Sequence, residues 1–266
     1  MKPNDNHAAD TLAPLLERAA EAIAASRHLT AFTGAGISVE SGIPPFRGPG
    51  GVWETYDPEV LDIEFFLAHP DESWKAIRAL FTSFLGTEER PPVRPNPAHE
   101  ILAKWEARGL LHCTVTQNID GLHAAAGSRE LVEYHGHCRT MTCLACGNRV
   151  TLNAETVAPK IPLCRCGGLF KPDFIFFGEG IPPAASSRAA KEAMLTDCMV
   201  LVGTSGAVYP AAGVPVDAKR RGAFIIEVNP VPTPFTDRIT DVFLPMKAAA
   251  AFLALDALLA DAGPKA

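Results

Sequence analysis

Long apolar runs are missing from this sequence of 266 residues. No stretch approaches the roughly 20 apolar residues that a membrane-spanning helix needs, so we expect no membrane partner. The first residues are polar and no apolar signal segment is visible, which predicts a cytoplasmic protein rather than an exported one. The compositional bias of disordered or collagen-like chains is also absent, because 47% of the residues are hydrophobic and 20% are charged. The chain is long enough to bury a core in one large or two modest domains.

An excess of positive charge is missing as well. Lys and Arg number 24 against 30 Asp and Glu, which gives a formal net charge of -6. A phosphate polymer is therefore disfavoured as a general partner, and we expect no specific binding of nucleic acid. A basic peptide or a small molecule fits this charge balance better.

Cysteine is present in an odd number, 7, and four of the cysteines cluster. Cys143 and Cys146 form one tight pair, and Cys164 and Cys166 form a second. Two such pairs can complete a tetrahedral Zn²⁺ shell that has no open position for water, which predicts one structural zinc ion. The alternative is a set of reduced, buried cysteines without metal. The remaining cysteines lie outside both pairs and are expected to be incidental; they are Cys113, Cys138 and Cys198.

Apolar runs alternate with helical patterns along the chain. The runs read as strands buried on both faces, as parallel sheets require, and the alternation predicts an α/β fold with a doubly wound sheet and insertions. The predicted strands cover residues 28–33, 110–116, 199–203 and 223–229, and the predicted helices cover residues 12–25, 59–86, 98–108, 184–195 and 248–259.

A glycine turn follows the first predicted strand. Gly34 and Gly36 lie where a strand would give way to a helix, and bare N–H groups in such a turn can hold a pyrophosphate. The alternative is a plain tight turn. Val39 replaces the third glycine of the usual dinucleotide fingerprint, and no second strand ending in an acid follows at the expected distance. An ordinary hydride-transferring dehydrogenase is therefore disfavoured.

The motifs taken together resemble the sirtuins, the NAD-dependent protein deacylases. They occur in the order of that family and cover about residues 20–255. The matching segments are Gly34-Ala35-Gly36-Ile37-Ser38, Gly42-Ile43-Pro44, Phe46-Arg47, Thr116-Gln117-Asn118-Ile119-Asp120-Gly121-Leu122-His123, His135-Gly136, the four clustered cysteines, Lys171-Pro172-Asp173, Phe177-Gly178-Glu179, Gly203-Thr204-Ser205 and Val228-Asn229-Pro230.

The resemblance implies a single catalytic core over residues 11–266, of the compact bacterial type and monomeric. A large Rossmann-like domain would comprise residues 11–40, 98–134 and 178–260. A small domain would combine a helical insert, residues 41–97, with a zinc-ribbon insert, residues 135–177. NAD and an acylated lysine peptide would bind in the cleft between the two domains.

The resemblance also implies roles for individual residues. The phosphates of NAD would be bound by Gly34, Ala35, Gly36 and Ile37, under a loop that contains Pro44, Phe46 and Arg47. The nicotinamide ribose would be bound by Gln117, Asn118, Ile119 and Asp120. The adenosine would be bound by Gly203, Thr204, Ser205, Asn229 and Ala248. An extended substrate peptide would pair between two edges, one formed by Phe177, Gly178 and Glu179 and the other by Ala207, Val208 and Tyr209.

The implied reaction transfers an acyl group from lysine to the ribose of NAD and releases nicotinamide. His135 would be the base that takes a proton from a ribose hydroxyl, with Asn118 and Asp120 beside it. Each residue also has a structural alternative: His135 as a satisfied core residue, Asp120 as a turn residue and Arg47 as an exposed loop cation.

Acyl preference and reaction type are separate questions. Aligned on Trp74, Ile77 and Leu80 occupy the places of the Tyr and Arg that grip acidic acyl groups in one branch of the family. An apolar pair cannot compensate a buried carboxylate, so acetyl or longer apolar acyl groups are expected, unless Arg78 supplies the cation.

Two other functions stay open: ADP-ribosyl transfer or NAD hydrolysis on the same scaffold, and a binding module that docks through its zinc ribbon.

Overall fold

The computed structural model describes residues 5–45, 50–51, 54–85 and 92–261, with side chains from residue 12 onward except those of residues 83–85 and 261. Short 3₁₀ helices cover Ala35–Ser41 and Pro58–Leu61. The α-helices are α1 (Asp5–Ala25), α2 (Ile63–Ala68), α3 (Pro70–Leu85), α4 (Pro97–Ala107), α5 (Leu122–Ala126), α6 (Ala154–Val157), α7 (Pro183–Leu195), α8 (Gly213–Arg220) and α9 (Ala248–Asp261). The strands are β1 (Leu29–Thr33), β2 (Leu111–Thr116), β3 (Leu131–Glu133), β4 (Gly136–Cys143), β5 (Arg149–Thr151), β6 (Phe170–Phe174), β7 (Cys198–Val202), β8 (Phe224–Val228) and β9 (Val242–Leu244).

Six strands form one parallel sheet in the order β3-β2-β1-β7-β8-β9. The chain winds outward from β1 to β3, then returns to the other side of β1 and winds outward again from β7. This is the strand order of a doubly wound nucleotide-binding sheet, and the winding direction reverses between β1 and β7. Every residue of β1 and β7 is buried, which explains their continuous apolar patterns. The predicted α/β doubly wound fold is confirmed.

Helices cover both faces of this sheet. On one face α1, α4 and α9 share a buried cluster, in which the rings of Trp105 and Phe252 lie 5.3 Å apart. On the other face Ala189 and Ala193 of α7 and Ala218 of α8 pack against the strands. Within the described part of the chain, no helix is both long and apolar enough to cross a bilayer.

A second sheet is antiparallel, with the order β5-β4-β6. It shares a buried cluster with the helical segment that follows the glycine turn. Phe66 and Trp74 of that segment pack in the same cluster as Phe170 and Phe176. The strands β4, β5 and β6 are short or rich in polar residues, and the apolar pattern did not predict them.

The helical patterns predicted at about residues 59–86 correspond to more than one helix. The chain there forms a 3₁₀ turn followed by α2 and α3. Asp62 has extended backbone and its carboxylate accepts hydrogen bonds from the N–H groups of Glu64 (2.8 Å) and Phe65 (3.3 Å), so it begins a new helix. Pro70 begins α3, because proline lacks the N–H that a continuous helix would need there.

Candidate active site

One cavity of about 450 Å³ opens at the carboxyl ends of the sheet strands. Gly34 follows β1, Gln117 follows β2, Gly203 follows β7 and Asn229 follows β8, and all four line the cavity. Doubly wound sheets bind ligands at this position, where the winding direction reverses. The cavity brings together sixteen of the residues named from the sequence: Gly34, Ala35, Gly36, Gln117, Asn118, Ile119, His135, Phe177, Gly178, Glu179, Gly203, Thr204, Ser205, Val208, Tyr209 and Asn229.

Other residues named from the sequence do not line this cavity. Ile37 and Ala248 are buried in the core behind it, and Asp120 is held by a network beneath it. Pro45 lines the cavity where Pro44 had been expected. Phe46 and Arg47 lie outside the described residues.

The glycines of the turn are required by a close crossing of two backbones. The N–H of Gly36 donates to the carbonyl of Gly203 at 2.8 Å. A Cβ on Gly36 would lie 2.5 Å from the Cα of Gly203, and a Cβ on Gly34 would lie 2.8 Å from its carbonyl oxygen. Gly203 itself has a φ of +58°. Side chains are therefore excluded from this turn by the protein before any ligand is considered.

Three residues of the glycine turn and of the loop after β7 have backbone N–H groups without a partner in the described structure. The N–H groups of Gly36 and Ile37 are used inside the protein, whereas those of Ala35, Thr204 and Ser205 make no hydrogen bond within the described part of the chain. These last three residues line the cavity. Unpaired N–H groups in such a turn suit the oxygens of a phosphate, so the loops fit the pyrophosphate of a dinucleotide.

A polar network lies beneath the cavity and centres on Ser38, which is fully buried. Its hydroxyl donates to the carboxylate of Asp120 at 2.7 Å and accepts from the amide of Asn118 at 3.2 Å. The same amide donates to the carbonyl of Gly34 at 3.2 Å, and the N–H of Leu122 donates to Asp120 at 2.9 Å. Burial raises the pKa of Asp120, and the bonds from Leu122 and Ser38 oppose that shift. The network fixes Asn118 and Asp120 against the glycine turn.

Two buried histidines complete this network, and sequence reasoning gave neither a role. Nε2 of His99 lies 3.4 Å from the Ser38 hydroxyl, and Nε2 of His123 lies 2.9 Å from the hydroxyl of Thr33. The two imidazole rings are 4.8 Å apart. Burial lowers the pKa of His99 to about 4 and that of His123 well below its ordinary value, so both are neutral. His99 follows the helix cap Asn96 by three residues, a capping-box spacing that could have marked it.

His135 lies in the wall of the cavity, between β3 and β4. Its Nδ1 is 3.1 Å from the carbonyl oxygen of Gln117. A carbonyl only accepts hydrogen bonds, so Nδ1 carries the proton and Nε2 of the neutral ring is an acceptor. Burial lowers the pKa of His135 below 6.5, and the bond to Gln117 opposes that shift. His135 is thus a neutral, oriented imidazole at neutral pH, which is the form that a general base requires.

The four clustered cysteines converge at one end of the small sheet. Their sulfur atoms lie within 4.8 Å of one another. The Cys143–Cys166 and Cys146–Cys164 sulfur distances are 3.6 and 3.7 Å. A tetrahedral zinc ion with bonds of about 2.3 Å to sulfur has edges of about 3.8 Å, so the four sulfurs fit one ion.

The expected peptide edge at Phe177 is partly used by the protein itself. The N–H of Phe177 donates to Leu61 at 2.9 Å, and its carbonyl accepts from Ile63 at 3.0 Å. On the opposite edge the carbonyl of Val208 accepts from Ala212 at 2.8 Å. A peptide strand would have to pair with the neighbouring backbone groups, such as those of Gly178.

The residues that concern acyl preference lie away from the cavity. Ile77 and Leu80 are buried in the cluster under the small sheet. The guanidinium of Arg78 is exposed and donates to the carbonyls of Pro159 and Lys160 at 2.9 and 2.8 Å. None of these three side chains reaches the cavity wall.

Comparisons with known proteins agree with this geometry. The family model described as "Sir2 family" matches residues 34–210. A protein named NAD-dependent protein deacylase 2 from Pyrobaculum aerophilum is 45% identical over 227 residues, 85% of this chain and 88% of its own length. An NAD-dependent protein deacylase from Thermococcus kodakarensis is 43% identical over 244 residues, 88% of this chain and 91% of its own.

Solved structures agree with these sequence relatives. A Sir2 homolog–NAD complex superposes with a TM-score of 0.83 at 37% identity, over 93% of this chain and 95% of that one. A Sir2–p53 peptide–NAD⁺ complex gives a TM-score of 0.80 at 34% identity, over 91% and 96% of the two chains. With a family model over more than half of its length and relatives above 40% identity, this chain belongs to the Sir2 family.

Proposed function

We propose that this protein is an NAD-dependent protein-lysine deacylase, which forms nicotinamide, O-acyl-ADP-ribose and free lysine from an acylated lysine peptide and NAD. The observation that carries the proposal is the neutral His135, with Nε2 free to accept a proton, in the wall of a cavity at the reversal point of the sheet. The relatives named as NAD-dependent deacylases support it.

The cavity has donors suited to each part of the cofactor. Ala35, Thr204 and Ser205 would hold phosphate and adenosine-side oxygens through their free N–H groups, and Asn229 lies at the far end of the same wall. NAD supplies an electrophilic ribose carbon that carries nicotinamide as its leaving group. The protein's task is to hold the acyl oxygen against that carbon and to keep water out.

His135 would then act on a ribose hydroxyl. The bond from Nδ1 to the Gln117 carbonyl fixes the plane of the ring and leaves Nε2 as the acceptor. The amide of Gln117 donates to the hydroxyl of Thr204 at 3.0 Å, so the residue that orients the base is itself held by the loop after β7. Asn118 and Asp120 would position the nicotinamide ribose from the network under the glycine turn. Ile37, Pro44, Phe46 and Arg47 are also proposed to contribute to NAD binding, and the last two lie outside the described residues.

The acyl group would meet an apolar wall. Leu61, Ile119, Phe174, Phe176 and Ile181 line the cavity, and no Lys or Arg among the described residues does so. A carboxylate buried there would lack a compensating cation. The proposed substrates therefore carry acetyl or longer apolar acyl groups, and succinyl-lysine and malonyl-lysine are poor ones.

The remaining parts of the proposal concern organisation. One structural zinc ion would be held by Cys143, Cys146, Cys164 and Cys166, and a reducing compartment such as the cytoplasm would keep these thiols available. The large domain would comprise residues 11–40, 98–134 and 178–260, and the protein would act as a monomer. Ala248, at the start of α9, would support the adenosine end from behind.

The test is a product analysis by mass spectrometry after incubation with NAD and an acetyl-lysine peptide. Acetyl-ADP-ribose with free nicotinamide is the expected outcome. A peptide that gains ADP-ribose would instead identify a transferase, and free ADP-ribose without deacylated peptide would identify a hydrolase. Absence of NAD turnover under every condition would overturn the enzymatic proposal.

A further inference from the structure

An ion pair between the buried Lys171 and the half-buried Glu179 lies at the peptide edge of the cavity. Nζ of Lys171 is 2.8 Å from Oε2 of Glu179, and only 9% of the Lys171 side chain is exposed. The same ammonium donates to the carbonyls of Pro172 at 3.1 Å and Phe174 at 2.8 Å. An ammonium has three protons, and these three acceptors use all of them. It also lies 4.4 Å from the ring centre of Phe176.

Glu179 closes the other end of the same segment. Its Oε2 accepts from the N–H of Phe176 at 2.7 Å, and its own N–H donates to the carbonyl of Phe176 at 3.1 Å. Residues 176–179 therefore form a turn closed by both the backbone and the side chain of Glu179. The carboxylate is used inside the protein, and the predicted pairing of this edge with a peptide strand would involve backbone groups.

The segment held in this way, residues 174–179, lies next to the proposed base, the acyl wall and the peptide edge. All six residues line the cavity. The N–H of Ile175 donates to the carbonyl of His135 at 2.9 Å, so the segment also touches the backbone of the proposed base. Phe176 belongs to the apolar acyl wall, and Gly178 provides the backbone groups that stay available for a peptide strand.

We infer that Lys171 and Glu179 form a clamp that positions residues 174–179 for the acylated peptide, and that the clamp sets the affinity for peptide rather than for NAD. The inference rests on the proposed deacylase function. The phosphates and adenosine of NAD would lie on the loops after β1, β7 and β8, and the clamp contacts none of these three loops in the described structure. A change in the clamp therefore moves the peptide edge and leaves the cofactor loops in place.

Because the clamp pairs two charges, we expect the effects of its single and double substitutions on the peptide KM to be non-additive. Removing one partner of a buried pair leaves an uncompensated charge, whereas removing both charges does not. Lys171→Met removes the cation from the Glu179 carboxylate and leaves it the bond from the N–H of Phe176. The double variant Lys171→Met/Glu179→Gln carries neither charge, and Gln can still accept from the N–H of Phe176.

The experiment measures steady-state KM for an acetyl-lysine peptide and for NAD in each variant. We expect Lys171→Met to raise the peptide KM at least tenfold and the NAD KM less than threefold, with the double variant closer to the wild type than the single one. Lys160→Met is the matched control, because its ion pair with Asp71 (3.0 Å) is exposed and lies on the outside of the small domain. Its two KM values should stay within twofold of the wild type.

The readout separates positioning from mere stability. KM does not depend on the fraction of enzyme that is folded, whereas apparent kcat does. If Lys171→Met does not fold, the isosteric Glu179→Gln variant provides the same comparison. Equal KM changes for peptide and NAD, or a peptide KM within twofold of the wild type, would overturn the clamp. An inactive wild type would instead count against the deacylase function, and binding of a fluorescent acetyl-lysine peptide, measured by anisotropy, would still test the clamp.

Discussion

Ser38 is the residue whose removal should reveal most about the site. Its buried hydroxyl donates to Asp120 at 2.7 Å and accepts from the amide of Asn118 at 3.2 Å. His99 adds a second donor at 3.4 Å, because its Nδ1 accepts from the N–H of Asn96 and its Nε2 therefore carries the proton. The hydroxyl is saturated, with one donated and two accepted bonds.

Ser38→Ala removes all three bonds and leaves their partners buried. A hydrogen bond to a charged group contributes about 1.5–3 kcal/mol, and a buried group without a partner costs a similar amount. We expect the free energy of unfolding to fall by about 2–3 kcal/mol, measured by urea denaturation with circular dichroism. A displacement of Asn118 and Asp120 that costs about 1.4 kcal/mol in the transition state would lower kcat/KM about tenfold.

The chain contains a matched control for this variant. Ser73 is also fully buried, and its hydroxyl has no hydrogen-bond partner in the described structure. Ser73→Ala should change the free energy of unfolding by no more than about 1 kcal/mol, or stabilise the protein, because it removes an unsatisfied group. If Ser38→Ala is no more destabilising than Ser73→Ala, the hydrogen bonds of Ser38 are not what holds Asn118 and Asp120 against the glycine turn.

Other predictions follow from the same geometry. His135→Ala should abolish deacylation and leave NAD binding intact by calorimetry; persistent activity would show that the base is another residue. Because burial lowers the pKa of His135 and the base must be neutral, kcat/KM should fall with decreasing pH at a midpoint below 6.5, and a midpoint above 7 would contradict this assignment. Gly36→Ala should destabilise the protein by about 1–3 kcal/mol, since its Cβ would overlap the backbone of Gly203; denaturation that matches the wild type would refute the crossing. Cys143→Ser should unfold the small domain with loss of bound zinc, and a folded, active variant would argue against a structural metal.

The sequence predicted the parallel sheet because its strands are buried on both faces, which produces long apolar runs such as Cys198–Val202. It failed where structure depends on polar groups. The break at Asp62 is caused by a carboxylate that caps α2, and periodicity alone does not detect a cap. The ribbon strands were missed because β4 and β5 are mostly half-buried or exposed and so lack a clear pattern.

For the site, the sequence predicted which segments meet but not what each side chain does there. The glycines were assigned to phosphate binding, whereas Gly36 is required first by the backbone of Gly203. Glu179 was predicted as part of the peptide edge, and the sequence did not reveal that its carboxylate binds Lys171 and the backbone of Phe176. Some of these contacts join residues that are far apart in the chain, and others lie within a single turn. No rule based on residue spacing predicts either kind.

The residues that line the cavity come from two parts of the fold, and these two parts differ in how much sequence change they tolerate. Its polar end is formed by loops that leave the buried strands β1, β2, β7 and β8, where the backbone crossing tolerates almost no change. Much of its apolar wall comes from Leu61, Phe174 and Phe176, which belong to the inserted segments outside the large sheet. A lineage, or an engineer, could therefore exchange the wall and retain the cofactor end, so that acyl selectivity diverges while the reaction stays the same.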